Sequence, residues 1–335
     1  MQRRRFLLLT LLLLLLAPGA GWGWWKTGHH VVANIAYDRL DKETRDVLVG
    51  WLRAHPRLKE EFAIPKDIQA LGKDAEDRWL FLVAAEWPDL IRGKAAYDRP
   101  QWHYINNRFF LTDTDKEALG DRVKPNTSRT VPDGLRDDAE PLDLNAAQAA
   151  QLCLKRLGRA DVPAGKKAVY LCWVLHIVGD VHQPCHSASL YSRALFNGAD
   201  GDRGANRIPL ASGENLHAFW DSLLGGAKLS SAGDVNAVRK RSLQILDNDA
   251  FRKAAEKAAT APEVDTAIAE SFALLPEAVY DEAMRAAIRD KESAGKKLDP
   301  LALTDEYRKA AGQLARRRVA EAGYRLGVLL NRIGK

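Results

Sequence analysis

The sequence has few cysteines and, beyond its first residues, no long apolar run. The three cysteines, Cys153, Cys172 and Cys185, can form one disulfide at most, which excludes a fold held together by disulfide bonds. No apolar run after the first 23 residues approaches the roughly 20 residues of a membrane span. Alternation of apolar and polar residues is also scarce, and this argues against a fold built mainly from β-strands.

Charge of one sign is not in large excess either. The formal net charge is +6, and three of the positive charges are the arginines at positions 3–5. Solvated protein surfaces often carry a balance of this size. The overall charge is therefore weak support for a polyanionic partner, and the function has to be inferred from motifs.

The start of the chain has the composition of an export signal. Basic residues at positions 3–5 precede an apolar run over 6–17, and small residues follow over 18–23. This order is typical of a signal peptide that is removed on export. We therefore predict a leader over 1–23 and a mature domain over 24–335 that is secreted or periplasmic and has no stable membrane association.

Helical periodicity covers most of the remaining sequence and predicts an all-α fold. Stretches rich in Gly, Pro, Asp and Asn over 112–143 and 187–214 predict loops. No internal repeat or low-complexity linker is present, so we predict a single multi-helix domain. Apolar residues recur three and four positions apart over the segments 29–53, 76–86, 145–157, 166–182, 234–259, 263–289 and 303–333.

The most informative motif is His-x-x-x-Asp-x-His-Gln-Pro-x-His, which begins at His176. On a helix, His176 and Asp180 are four residues apart and lie on the same face. Pro184 is expected to end the helix and to let His186 return toward the same space. Imidazole and carboxylate groups together are the ligands that zinc prefers.

A second pair with the same spacing is His217 and Asp221, in Asn-Leu-His-Ala-Phe-Trp-Asp. A single histidine with an acid one turn away is most often a surface ion pair. Two such pairs within otherwise apolar helices, together with His186, favour a metal site instead, because unpaired charged groups are rarely buried.

Three upstream motifs are weak alone and gain weight from the others. Asp89 follows Pro88, which we expect to end a helix, and an Asp beside Pro is commonly a turn residue. His103 lies between Trp and Tyr, where a histidine is usually part of the core. His29 follows Gly28 near the start of the mature chain, where it could instead cap a helix.

In this order, the motifs resemble the zinc-dependent single-strand nucleases of the mung bean nuclease family, which includes the fungal S-one and P-one enzymes. The matching landmarks run from residue 24 to residue 331. The resemblance implies a helical fold of the zinc phospholipase C/single-strand nuclease type. It also implies an endonuclease that cleaves single-stranded DNA and RNA with metal-activated water, and a monomer. The sequence leaves open whether the enzyme also removes phosphate from 3′-nucleotides.

The resemblance further implies three zinc ions and their ligands. The first zinc would be held by Asp89, His103, His176 and Asp180. The second would be held by His186, His217 and Asp221. The third would be held by His29, by Asp180 as a bridge, and by the α-amine and carbonyl of Trp24.

Trp24 can be a ligand through its amine if the leader is cleaved directly before it. Cleavage after Gly23 would do this, and the spacing from Trp24 to His29 fits the family. Cleavage after Ala20 would make Gly21 the first residue, and a start at Trp22 is also open. An amine inside a peptide bond cannot bind metal in this way.

The family pattern also implies roles in catalysis and substrate binding. Arg92 would act with the ligands Asp89 and Asp180 and neutralise charge on the phosphate. Tyr104 would stack on a nucleobase, and stacking without base pairing selects single strands. Asn106 stands where fungal and plant members have Asp, so contacts with the base edge are expected to differ.

Two alternatives remain from the sequence. An exported zinc phospholipase C shares the three-metal helical architecture, but Asp221 and the interval from Trp24 to His29 favour the nuclease. A non-catalytic protein that binds metal or nucleic acid belongs to a different class. Activity on single-stranded nucleic acid and on a phosphocholine ester would distinguish the three.

Overall fold

The computed structural model describes residues 24–136 and 139–334, and the predicted leader lies outside them. Within this part of the chain, no helix is both long and apolar enough to span a bilayer. Its helices are α1 (Lys26–Tyr37), α2 (Lys42–Arg53), α3 (Leu58–Glu61), α4 (Lys66–Gln69), α5 (Lys73–Leu90), α6 (Asp113–Leu119), α7 (Ala146–Leu157), α8 (Ala164–Asp180), α9 (Leu216–Ser222), α10 (Ala232–Leu246), α11 (Asp249–Ala259), α12 (Val264–Ala273), α13 (Glu282–Ser293) and α14 (Asp305–Ile333).

The shorter elements lie mainly between the helices. Two four-residue strands, β1 (Asn107–Phe110) and β2 (Ala188–Tyr191), pair in parallel. Single 3₁₀ turns cover Pro100–His103 and Pro184–His186, and a π-helical turn covers Leu275–Val279. The all-α prediction is confirmed, since the strands are a minor addition to a helical domain.

Several predicted helical segments contain more than one helix. The segment 29–53 is divided before Asp41, whose side chain caps α2 by accepting a hydrogen bond from the Thr44 N–H. The segment 234–259 is divided at Asn248, which caps α11. A cap interrupts the backbone but leaves the apolar stripe intact, so periodicity alone does not reveal the break.

Pro88 corrects one prediction. It lies inside α5, which continues to Leu90, so Asp89 is a helical residue and not a turn residue. Proline removes one helical hydrogen bond. The last turns of α5 are nevertheless buried, and this packing keeps the helix continuous through Pro88. The helix before Pro184 also ends earlier than that residue, at Asp180.

Helices α1 and α8 form the centre of the domain. All but the first residue of α1 are buried, and α8 is buried from Ala168 to its end. Helix α1 packs against α5, α8, α10 and α14, whereas α8 packs against α2, α5 and α7. Side chains on these two helices are therefore held by packing on several sides, which suits a site that needs fixed geometry.

A buried polar network supports the turn that follows α8. Arg318 and Arg325 on α14 are each 1% exposed and both bond to Glu270. Arg318 Nε donates to the carbonyl oxygen of His182 (3.2 Å), and Arg325 Nη1 bonds to His182 Nε2 (3.0 Å). The network therefore holds His182, two residues after Asp180, through bonds from α14.

We expect Glu270→Gln to lower the free energy of unfolding by about 2 kcal/mol at pH 7, as measured by urea denaturation. Removing one partner of a buried pair costs about 3–5 kcal/mol, and Glu270 is 41% exposed, which reduces the effect by screening. Glu263→Gln is a matched control, because Glu263 pairs with Arg332 at the surface and the expected change is below about 1 kcal/mol.

The effect of Glu270 also has a predicted pH dependence. Burial disfavours its charged form, but hydrogen bonds from Arg325 and Arg318 outweigh this and lower its pKa from 4.5 to about 2. Because the folded pKa is the lower one, its stabilisation is present above pH 4.5 and declines as the pH falls toward 2. An increase, as the pH falls, in the difference in free energy of unfolding between the wild type and Glu270→Gln would contradict this.

Candidate metal centre and cleft

Four donor atoms converge at the junction of α5, the first 3₁₀ turn and α8, and we call these residues the central cluster (Asp89, His103, His176 and Asp180). Asp180 Oδ2 lies 3.0 Å from His103 Nδ1 and 3.2 Å from His176 Nε2, and these two nitrogens are 3.0 Å apart. Asp89 Oδ1 lies 3.7 Å from His176 Nε2 and 3.9 Å from His103 Nδ1. Ligands at tetrahedral positions around zinc are about 3.3 Å apart, so these five distances are compatible with such an ion. The donor atoms of Asp89, His103 and His176 all lie within 4.8 Å of one another.

His29 on α1 lies close to the second carboxylate oxygen of Asp180, Oδ1. Its ring stacks on His176 with centroids 3.9 Å apart, and His29 Nε2 lies 3.3 Å from Asp180 Oδ1. The donor atoms of His29, His176 and Asp180 lie within 4.8 Å of one another. We call His29, His176 and Asp180 the N-terminal cluster. His176 and Asp180 therefore belong to this cluster and to the central one.

Gly179 makes room for the ring of His29. A Cβ atom on Gly179 would lie 2.8 Å from His29 Nδ1 and 3.1 Å from His29 Cε1. A contact of 2.8 Å essentially never occurs for a Cβ atom, so any larger residue would displace the ring. Glycine lowers helix propensity at this position, and close packing is the physical reason for its presence.

The outer cluster consists of His186, His217 and Asp221. His217 Nε2 lies 3.3 Å from Asp221 Oδ2, and His186 Nε2 lies 4.0 Å from Asp221 Oδ1. Asn215 caps α9 by accepting a hydrogen bond from the Ala218 N–H, which places His217 in the first turn. The four-residue spacing that suggested this pair therefore lies on a helix, as expected.

Main-chain carbonyl groups orient three of the histidines. A carbonyl can only accept, so each of these rings donates through Nδ1–H and keeps a lone pair on Nε2. Such a bond to the second nitrogen is typical of histidine ligands of metals. The bonds join His176 to Ala85 (2.8 Å), His186 to His103 (2.7 Å) and His217 to Gly204 (2.5 Å).

The buried donor atoms fit a set of divalent cations. Burying polar atoms without partners is costly, and nitrogen and carboxylate oxygen together are zinc ligands. Within residues 24–136 and 139–334, the atoms without a hydrogen-bond partner include both ring nitrogens of His29, Asp180 Oδ1, His186 Nε2, His217 Nε2 and Asp221 Oδ2.

Protonation states at part of the site also suit metal binding. Burial lowers the pKa of His29 and of His186, and burial together with the charge of Arg92 lowers that of His103 to about 4. Burial opposes ionisation of Asp180, but the neighbouring histidines outweigh it and hold its pKa well below the usual range. Neutral imidazoles and an ionised carboxylate are the forms that coordinate a cation. At His176 and His217, burial opposes protonation, but nearby carboxylates outweigh it and raise the pKa, and burial raises the pKa of Asp221.

Trp24 is fully buried beside these clusters. The N–H of the next residue, Trp25, donates to the carbonyl oxygen of Asp221 at 3.0 Å, which holds this segment against α9. A Cβ atom on Gly28 would lie 2.5 Å from Trp24 Cβ, so glycine permits this close approach. A role of the Trp24 amine and carbonyl as ligands remains a prediction.

His103 of the central cluster and His186 and His217 of the outer cluster line a cleft of about 140 Å³. A larger groove of about 730 Å³ lies beside β1, but none of the three clusters lines it, so the smaller cleft is the candidate for the reaction. The residues that line the smaller cleft are Arg92, Pro100, His103, Tyr104, Asn106, Cys185, His186, Asp200, Arg203, Gly204, Asn206 and His217.

The three residues predicted to act on substrate all line this cleft. Arg92 Nε and Nη2 lie 3.0 and 2.9 Å from Asp89 Oδ1, which joins the arginine to the central cluster. Tyr104 is 37% exposed, which is unusual for a large aromatic side chain in this domain. Asn106 Oδ1 accepts a hydrogen bond from Ser189 (3.0 Å), so its amide nitrogen is the donor that it can offer to a ligand.

Gln183 has a role that the sequence interpretation missed. Its Nε2 donates to Asp221 Oδ1 at 2.8 Å, and its Oε1 accepts from the Cys185 N–H at 2.6 Å. Gln183 therefore orients a carboxylate of the outer cluster. Its position in the motif, between His182 and His186, could have indicated this role. Burial raises the pKa of Cys185 well above the usual range, and its sulfur belongs to none of the three clusters.

The loop over 201–206 lines part of the cleft, and Asp202 anchors it. The fully buried Asp202 carboxylate accepts hydrogen bonds from the Leu190 N–H (2.8 Å) and the Tyr280 hydroxyl (2.7 Å). Burial raises its pKa to about 6. The Gly204 N–H donates to Ser189 Oγ (3.1 Å), which leaves the Gly204 carbonyl directed at His217.

Comparison with known proteins agrees with this site. A search of curated proteins finds no match. The family model for the S1/P1 nucleases matches residues 24–335, so the nuclease and not the phospholipase C alternative is supported. The chain therefore belongs to the S1/P1 nuclease family and is a metal-dependent phosphodiester hydrolase that acts on nucleic acid.

Proposed function

We propose that this nuclease is a zinc-dependent endonuclease that hydrolyses phosphodiester bonds in single-stranded DNA and RNA and also removes 3′-phosphates from nucleotides. The proposal includes a signal peptide over 1–23, a mature monomer over 24–335 and export to the periplasm or medium. The observation that carries it is the combination of three buried His/Asp clusters with a cleft that presents a cation, Arg92, and an exposed aromatic residue, Tyr104.

In this proposal, three zinc ions share the clusters. Because His176 lies close to both His29 and His103, the contacts alone leave open which ion it would bind, and we follow the family pattern. The proposed ligands are Asp89, His103, His176 and Asp180 for the first ion, His186, His217 and Asp221 for the second, and His29, Asp180 and the α-amine and carbonyl of Trp24 for the third.

The chain supplies orientation and charge. When bound, zinc supplies Lewis acidity and makes an activated water available near neutral pH. Arg92 is held beside Asp89, where its cation is placed to neutralise charge that develops on the phosphate oxygens. Asp180 orients His103 and His176, which lie 3.0 and 3.2 Å from its Oδ2, and Asp89 holds Arg92. No nucleophilic side chain is then required.

Tyr104→Ala is expected to lower kcat/KM for a single-stranded oligonucleotide by about 10-fold, mainly through KM. Stacking of a base on an aromatic ring contributes about 1–3 kcal/mol. Tyr104→Phe retains the ring and is the matched control, so it should stay within about 2-fold of the wild type. Equal kcat and KM values for the alanine and phenylalanine variants would show that Tyr104 does not stack on a base.

The proposal is tested on protein purified from the compartment to which it is exported. Intact mass should give a chain that starts at Trp24, and elemental analysis should give close to three zinc ions per chain. Single-stranded DNA and RNA should be cleaved much faster than duplexes, and a phosphocholine ester should not be cleaved. A protein that holds zinc but leaves single strands intact would contradict the enzyme and support a binding protein.

A further inference from the structure

We propose that Arg203 forms a second phosphate-binding position at the mouth of the cleft, which holds the phosphodiester next to the one that is cleaved. This inference rests on the proposed single-strand endonuclease activity. Arg203 lines the same cleft as Arg92 and the outer-cluster histidines, and it lies in the loop over 201–206. The ligand is the sugar–phosphate backbone of a single strand.

The backbone at Arg203 has an uncommon conformation. Its φ angle is 60°, in the left-handed region that is unfavourable for a residue with a Cβ atom. The buried residues on either side are both anchored, Asp202 to the Leu190 N–H and Gly204 to Ser189 Oγ. These anchors hold the strained residue between them, and such strain concentrates at sites that bind ligands.

The loop therefore directs one exposed cation into the cleft. Arg203 makes no ion pair within 4.0 Å with any residue that the structure describes, whereas Arg92 is paired with Asp89. Asp200 also lines the mouth, so the charge there is mixed, and its backbone carbonyl accepts the Arg203 N–H at 2.9 Å. Tyr104 lines the same cleft as Asp200, Arg203 and Arg92, so its exposed ring and the three charged groups share one space.

This arrangement fits two consecutive phosphates. One phosphate lies at the clusters beside Arg92, the base between them stacks on Tyr104, and the next phosphate meets Arg203. An arginine fork suits phosphate oxygens. Contacts to phosphate position a strand without reading its sequence, so Arg203 is expected to affect the preference for substrate length and not for base.

The test compares thymidylyl thymidine, which has one phosphodiester, with the trinucleotide TpTpT, which has two. Arg203→Gln should lower kcat/KM for TpTpT by about 5- to 10-fold and leave the dinucleotide within about 2-fold. For a longer single strand, the slope of log(kcat/KM) against log[salt] should become shallower by about 0.7, since one phosphate contact is lost. Arg203→Lys should retain most of the preference for the trinucleotide.

Two further variants separate charge from backbone strain. Arg203→Gly relieves the left-handed strain and removes the charge, so it should lose the length preference as Arg203→Gln does. Arg239→Gln removes an exposed arginine from α10, away from the cleft, and should behave as the wild type. Zinc content should match the wild type in every variant.

The inference is overturned if Arg203→Gln and Arg203→Gly keep the wild-type ratio of trinucleotide to dinucleotide cleavage and the wild-type salt slope. It is also overturned if both substrates lose activity equally while zinc is retained, because Arg203 would then act on the cleaved phosphate itself. A wild-type protein that cleaves neither substrate nor longer single strands would instead refute the proposed function.

Discussion

Asp180→Asn is expected to remove bound metal and to lower kcat/KM for single-stranded DNA by more than about 100-fold. Loss of residues that only orient metal ligands costs about 10- to 100-fold, and Asp180 contacts the histidines directly. Its two oxygens lie 3.0–3.3 Å from nitrogens of His103, His176 and His29. An amide supplies one oxygen, no negative charge and an N–H₂ group that cannot coordinate a cation.

Metal content and activity have to fall together in this variant. Asp77→Asn is a suitable control, because Asp77 is also a buried carboxylate with basic partners, Arg53 and Lys73, but belongs to none of the clusters. It should lose stability and keep its metal. Asp180→Asn with full zinc occupancy would exclude Asp180 as the bridging ligand.

Gly179→Ala is expected to displace the ring of His29, to remove the metal of the N-terminal cluster and to lower activity by about 10- to 100-fold. The added Cβ would lie 2.8 Å from His29 Nδ1, which is too close for any real contact. Alanine favours a helix over glycine by about 1 kcal/mol, so the intrinsic effect on α8 is stabilising. A loss of metal would therefore not be a consequence of a weaker helix.

Gly50→Ala on α2 is the matched control. A Cβ atom at Gly50 meets no other atom within 4 Å, so the variant gains helix propensity without a clash. Thermal unfolding and elemental analysis of the two variants should diverge, with zinc lost in Gly179→Ala alone. Equal zinc content in both variants would show that His29 still binds metal after its ring has shifted.

The ligand pairs within one helix were predictable from sequence, because helical geometry is local. His176 and Asp180 on α8 and His217 and Asp221 on α9 were each four residues apart, and their closest donor atoms lie 3.2 and 3.3 Å apart. The helical class was equally accessible from periodicity. Asp89 was predicted to be a ligand, which stays a prediction, and its predicted local structure was wrong because α5 continues through Pro88.

Contacts between distant segments were not predictable in the same way. Nothing in the local pattern indicates that His29 stacks on His176, or that the carbonyl of Gly204 orients His217. The left-handed backbone of Arg203 is likewise unexpected for a residue with a side chain. These features depend on tertiary packing, which overrides local preference at functional sites.

The support that α14 gives to the turn after Asp180 matters for chain synthesis. Every side chain proposed as a ligand lies at or before Asp221, whereas Arg318 and Arg325, which hold residue 182, are made last. Ligands therefore leave the ribosome before the helix that braces them. A product that ends between residues 221 and 318 would contain every side chain proposed as a ligand and would lack the two arginines that bond to His182.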